Sequence, residues 1–124
     1  MRIMILDDSN IYRYTMMRNL KDAGYNDLVT VGSADEGLPL IIKEHFDIIF
    51  LDWNLPHMSG LDVLHTIRSS RSTADMNVVM VTTIHERKNI LQALKIGIQG
   101  YLLKPVDPVL IIKKIKEIEL QQSI

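Results

Sequence analysis

Short apolar runs punctuate the chain at wide, fairly regular spacing: Ile3 to Leu6, Leu28 to Val31, Ile48 to Leu51, Val78 to Val81 and Tyr101 to Leu103. Their apolarity is continuous rather than alternating. That predicts strands covered on both faces, the habit of parallel sheets in α/β proteins. The intervening segments carry the helical period. Tyr12, Met16, Leu20 and Ala23 define the inward stripe of a first helix that stops at Gly24. Ser33 is the expected N-cap of a second helix burying Ala34, Leu38 and Ile41, with Pro39 expected to kink it or delay its start. Leu61, Leu64 and Ile67 mark a third, Ile90, Leu91 and Leu94 a fourth ending before Gly97, and Ile111, Ile115 and Ile118 a fifth. Strands alternating with helices predict right-handed crossovers and a doubly wound α/β sheet, whose ligand sites lie beyond the carboxyl ends of the strands.

Composition narrows the classes. The 124 residues are 47% hydrophobic and 23% charged, which suits one compact domain over residues 1–124, with no internal repeat, low-complexity tract or linker. Fourteen Lys and Arg against fifteen Asp and Glu leave a net charge of −1, so no overall footprint points to nucleic acid or an anionic membrane. Charge has to act locally. The absence of cysteine excludes disulfides, thiolate catalysis and cysteine-based zinc sites. The chain reaches Asp7 too early for a signal-peptide apolar region, and no apolar run approaches membrane-spanning length. A soluble cytoplasmic protein is expected.

The residues that follow the strands carry the candidate chemistry. Asp7 and Asp8 follow the first, Asp52 the third, Thr82 and Thr83 the fourth and Lys104 the fifth, so all face one crevice. Three carboxylates there repel one another unless a cation neutralises them. Oxygen-only ligands favour Mg²⁺, with Mn²⁺ as the alternative. A carboxylate also serves as a nucleophile toward phosphorus when cations and donors meet the developing charge, and Lys104 and Thr82 suit that role.

With these residues in view, the chain resembles the receiver domain of two-component response regulators, and most closely the single-domain, chemotaxis-type (CheY-like) members. The matching motifs are Asp7-Asp8-Ser9 with Arg13, Asp52-Trp53-Asn54-Leu55-Pro56 with Gly60, Val81-Thr82-Thr83, and Gly100-Tyr101-Leu102-Leu103-Lys104-Pro105. Each alone is weak; all in order, at these strand ends, are specific. The resemblance implies a flavodoxin-like (βα)5 fold with strand order 2-1-3-4-5. It implies that Asp52 accepts a phosphoryl group from a histidine kinase or histidine phosphotransfer protein. Asp7, Asp8, Asp52 and the backbone carbonyl of Asn54 would hold Mg²⁺, and Thr82 and Lys104 would bind the phosphoryl group. The Lys104-Pro105 bond would be cis. Tyr101 would be an aromatic switch that follows Thr82 and alters the surface of the fourth helix, fifth strand and fifth helix, where an output protein or domain docks; Ile90 is a candidate contact there. Thr83 stands where the family has Ala or Gly, and together with Asn54 and Ile84 it bears on the phosphoryl lifetime, which is expected to be long. The last stretch, Glu119 to Ile124, suits a free-standing regulator and equally the receiver of a longer chain.

Blander readings stand beside these. Asp7 and Asp8 would serve as caps of the first helix, Asp52 as a loop acid before Leu55-Pro56, Lys104 as a solvated lysine and Thr82 as a strand-end hydroxyl. None of them accounts for three acids and a lysine at neighbouring strand ends. Arg13 reads as a surface helix residue, Trp53 as a half-exposed ring near the metal, the methionines as core filler, and Lys113, Lys114 and Lys116 as the solvated side of the last helix. His45, His57, His65 and His85 lack a ligand spacing. Two other functions compete with a non-enzymatic switch. A Mg²⁺-dependent aspartyl-phosphate phosphatase of the haloacid-dehalogenase type would need Asp-x-Asp after the first strand and a cap. A flavin-mononucleotide carrier would need a donor-rich loop where Asp7 and Asp8 stand.

Overall fold

A computed structural model describes residues 1–122, so Ser123 and Ile124 of the expected domain lie outside the described residues. Strands and helices alternate: β1 (Ile3–Leu6), α1 (Asn10–Asp22), β2 (Leu28–Val31), α2 (Ala34–Lys43), β3 (Ile48–Leu51), α3 (Gly60–Ser69), β4 (Asn77–Thr82), α4 (Arg87–Ile96), β5 (Gly100–Leu103) and α5 (Pro108–Gln122). The five strands form one parallel sheet in the order β2-β1-β3-β4-β5, the doubly wound arrangement predicted from the alternation.

The pleat divides each inner strand between two cores. Met4 and Leu6 of β1, Ile49 and Leu51 of β3, and Val78 and Met80 of β4 pack with Ala34 and Ile41 of α2, Val63, Leu64 and Ile67 of α3, and Ala93 of α4. Their sequence neighbours Ile3, Ile5, Ile48, Phe50, Val79 and Val81 pack with Met16 and Leu20 of α1 and Ile111, Ile115 and Ile118 of α5. A period of two on a sheet covered on both sides explains the unbroken apolar runs. The edge strands depart from this expectation: β2 and β5 are mostly half-covered, because each has a neighbour on one side only.

Several local expectations change. Ser33 caps α2 by accepting the Glu36 N–H, and the helix starts at Ala34 without delay, with Pro39 inside it on an exposed position. The carbonyl that the ring leaves unpaired is that of Asp35, itself an exposed residue. Ala23 is the exposed C-cap of α1, not part of its inward stripe. Ser9, not Asp7 or Asp8, caps α1, accepting the Tyr12 N–H at 3.2 Å. In α4 the buried residue is Ala93, while Leu91 and Leu94 are 51% and 52% exposed. The helix turns the small Ala93 into the core shared with α2 and α3, which leaves both leucines facing outward. Arg68 ties the lower ends of α3 and α4 together, donating to the carbonyls of Gly97, Ala74 and Met76 and to the Gln99 side chain.

Tyr25, in the α1–β2 connection, donates its hydroxyl to Glu119 of α5 at 2.8 Å. Burial and this pairing push its pKa up to about 12. The folded state therefore holds the phenolic proton more tightly than the unfolded chain, whose Tyr titrates near ~10. The stabilisation is complete below that pH and is lost as pH rises toward 12. Thermal melts are expected to show a steeper fall in Tm above about pH 10 for the parent than for Tyr25→Phe; equal slopes would count against the linkage.

Candidate functional site

Register brings the strand-end residues together. Leu6 and Leu51 are paired neighbours on β1 and β3, so the next residues, Asp7 and Asp52, emerge side by side. Thr82 pairs with Leu103 across β4 and β5, and the Lys104 N–H donates to the Thr82 carbonyl at 2.9 Å. Asp7 and Asp52 are only 3% and 6% exposed, whereas Asp8 faces solvent.

Lys104 reaches between the two buried acids, with Nζ 2.6 Å from Asp7 Oδ2 and 2.9 Å from Asp52 Oδ2. Burial pulls its pKa down, but hydrogen bonds and charge from Asp7 and Asp52 outweigh this and leave it raised. It is an ammonium at any physiological pH. The remaining carboxylate oxygens are also held: Asp7 Oδ1 accepts the Ser9 N–H at 2.9 Å, and Asp52 Oδ1 accepts the Asn54 N–H at 3.2 Å. Carboxylate oxygens of Asp7, Asp8 and Asp52 lie within 4.8 Å of one another. Three hard oxygen donors, one of them at the solvent edge, fit a metal ion that keeps open positions.

The backbone around Asp52 is tightly packed. The Gly60 N–H donates to the Trp53 carbonyl at 2.7 Å, and a Cβ on Gly60 would fall 2.0 Å from the Asp52 carbonyl oxygen. Trp53 is half-buried against the α2–α3–α4 core, and the Asn54 side chain is exposed. His57 adopts φ 69° in the β3–α3 connection. A side chain there costs about 1–2 kcal/mol, so His57→Gly is expected to raise stability by roughly 0.5–1 kcal/mol in urea melts, once the ~0.5–1 kcal/mol of extra chain entropy of glycine is subtracted. A loss of stability would mean that the imidazole makes a contact that outweighs the strain.

On the far side of the crevice, Thr82 is fully buried and its Oγ1 accepts the Ile84 N–H at 3.3 Å. The Ile84 carbonyl in turn accepts the Tyr101 hydroxyl at 2.7 Å. Tyr101 is half-buried against the same core as Met80, and burial raises its pKa. Thr83 is exposed, and the Lys104-Pro105 peptide bond is cis.

Two residues of α1 that the sequence reads as surface and as core join the site. Arg13 is half-buried, not a free surface residue: its guanidinium donates to the Asp7 carbonyl and the Asn10 side chain, and it packs over Gly32. Tyr12, expected only as core, lays its ring over Lys104, with Nζ 4.1 Å from the centroid. Locating Ser9 as the N-cap would have placed both one turn above the acids.

Comparison with known proteins agrees with this geometry. The family model of the response regulator receiver domain matches residues 3–116. The chain is 32% identical to chemotaxis protein CheY-3 of Vibrio cholerae over 95% of its own length and 91% of the relative's. It is 31% identical to CheY of Pseudomonas aeruginosa, covering 95% of both. Among solved structures, a CheY-like receiver domain protein from Methanospirillum hungatei superimposes with a TM-score of 0.89 at 32% identity, covering 98% of this chain and 96% of that one. A match across almost the whole chain, on a sheet of this strand order with its acids and lysine at the strand ends, carries one conclusion: the chain belongs to the response regulator receiver domain family and is CheY-like.

Proposed function

We propose that this chain is a phosphorylation-dependent switch of a two-component phosphorelay, in which Asp52 takes a phosphoryl group from a histidine kinase or histidine phosphotransfer protein. The supporting observation is the buried Asp52 carboxylate held by Lys104 beside Asp7, a nucleophile and its countercharge in one pocket. An Asp52 carboxylate oxygen attacks phosphorus, the P–N bond of the phosphohistidine breaks with its electron pair going to the imidazole, and an acyl phosphate forms. Lys104 pairs with a phosphoryl oxygen, and the Thr82 hydroxyl turns from Ile84 to donate to another. Asp7, Asp8, Asp52 and the Asn54 carbonyl would hold Mg²⁺, or Mn²⁺ in its place. When bound, the ion supplies countercharge for the acids and the transferred group.

Movement of Thr82 would reach Tyr101 through Ile84, whose N–H and carbonyl pair with the two side chains. The readout is the α4-β5-α5 face, where Leu91, Leu94 and Leu103 are 51%, 52% and 46% exposed beside the half-buried Ile90. An output protein or output domain covers them. The chain turns over no metabolite, works in the cytoplasm and makes no direct contact with nucleic acid or membrane; among the described residues, no helix is long and apolar enough to cross one. The apolar Ile84 cannot orient a hydrolytic water, and Thr83 narrows the approach, so the acyl phosphate is long-lived.

Mass spectrometry after incubation with Mg²⁺ and a small acyl phosphate donor tests this reading. One phosphoryl group is expected on the parent and none on Asp52→Asn. An unchanged parent mass, or equal labelling of the variant, would sink it.

A further inference from the structure

We propose that Tyr12 is a positioning residue for the reaction at Asp52, its ring face holding the Lys104 ammonium between the acids. The proposal rests on the reading of Asp52 as phosphoacceptor. A lysine ammonium has three N–H donors on a flexible stem and is strongly hydrated. Asp7 and Asp52 take two of the donors, at 2.6 and 2.9 Å. The Tyr12 ring, 4.1 Å from Nζ, supplies a third wall whose negative quadrupole attracts the cation without offering a competing acceptor oxygen. The Lys104 side chain is 13% exposed, so the ring and the acids together leave water little access.

The ring is well placed to act as a fixed wall. Its backbone N–H is held by the Ser9 hydroxyl at the start of α1. Its side chain packs into the α1–α5 core and lines the groove between α1 and the Pro105–Val106 segment. The first turn of α1 thus sets the position of a cation that arrives from the end of β5, 92 residues later. The contact that Tyr12 makes with this cluster is its ring face on Lys104, and it acts through that ammonium. When the phosphoryl group arrives and competes with Asp7 for the ammonium, the ring limits where the ammonium can move.

Removing the ring while keeping an apolar side chain is expected to slow labelling of Asp52 by the small acyl phosphate donor roughly three- to tenfold. Tyr12→Leu is the first variant, and Tyr12→Met, unbranched and adaptable, is the second should the first not fold. Tyr12→Phe, which keeps the ring face, is expected to restore most of the rate. In a Lys104→Met background, Tyr12→Leu is expected to make no further difference, a non-additivity that a general packing defect would not produce. A ring-less variant that labels at the parental rate, a Phe variant as slow as Leu, or additive losses in the double variant would each overturn the positioning role alone. An unlabelled parent would overturn the phosphoacceptor reading and this one with it.

Discussion

Replacing Lys104 with methionine is expected to slow phosphoryl uptake at Asp52 by about a hundredfold or more, the scale of losing one preorganised charge partner in a water-poor site. The same substitution is expected to cost about 3 kcal/mol of stability when divalent ions are chelated, because breaking a buried ion pair leaves its partner uncompensated. Here two carboxylates, 4% and 7% exposed at their side chains, would face each other without the ammonium. Added Mg²⁺ offers a second source of positive charge and binds only the folded arrangement, so it should recover part of the lost stability and do so more in the variant than in the parent. Urea denaturation with EDTA and with millimolar Mg²⁺, alongside labelling kinetics, separates the two effects. A variant labelled at nearly the parental rate would remove Lys104 from the phosphoryl pocket. A variant as stable as the parent in EDTA would mean that the acids find another partner.

Gly60→Ala should be the most damaging glycine-to-alanine change in the chain. The added Cβ would lie 2.0 Å from the Asp52 carbonyl oxygen and 2.8 Å from both the Asp52 carbonyl carbon and Trp53 Cα. All three are backbone atoms, so no side-chain rotation relieves the clash. Overpacking of this kind costs about 1–3 kcal/mol and more where backbone must shift, and about 3 kcal/mol or more is expected here. The shift falls on the acceptor itself, and a misplacement of about 1 Å in a reacting group can cost on the order of a hundredfold in rate. Loss of both stability and labelling is therefore expected, the first read in urea melts and the second by mass. A folded Gly60→Ala that labels normally would show that the β3–α3 connection yields without moving Asp52.

Local pattern carried most of the fold. The apolar runs marked all five strands to within a residue or so at each end; in β1, β3 and β4 burial on both faces removes the alternation, while the edge strands β2 and β5 keep apolar runs although they are only half-covered. Glycine and serine marked helix ends, with Ser33 capping α2 and Gly97 ending α4 at a positive φ of 120°. What pattern misjudged was which face a helix turns inward. Ile90, Leu91 and Leu94 are the large apolar residues that suggested the inward face of α4, yet Ala93 is the one buried, since the choice depends on how the helix docks on its neighbours. Arg13 was misjudged for the same reason, its guanidinium finding the Asp7 carbonyl and the space over Gly32 only once β1, α1 and β2 are assembled.

For the site, the sequence by itself determined which residues stand at the carboxyl ends of the strands, because strand length and chain direction are local properties. It therefore placed Asp7, Asp8, Asp52, Thr82 and Lys104 in one crevice. Tertiary structure alone decided how they share charge. Lys104 pairs with acids 97 and 52 positions away, the Thr82–Ile84–Tyr101 hydrogen bonds join a strand end to the middle of its neighbour, and Tyr12 closes over the ammonium from a helix on the opposite end of the chain. Such contacts have no sequence period to announce them. They exist because parallel strands in register deliver distant residues to the same edge, where charge and packing select their partners.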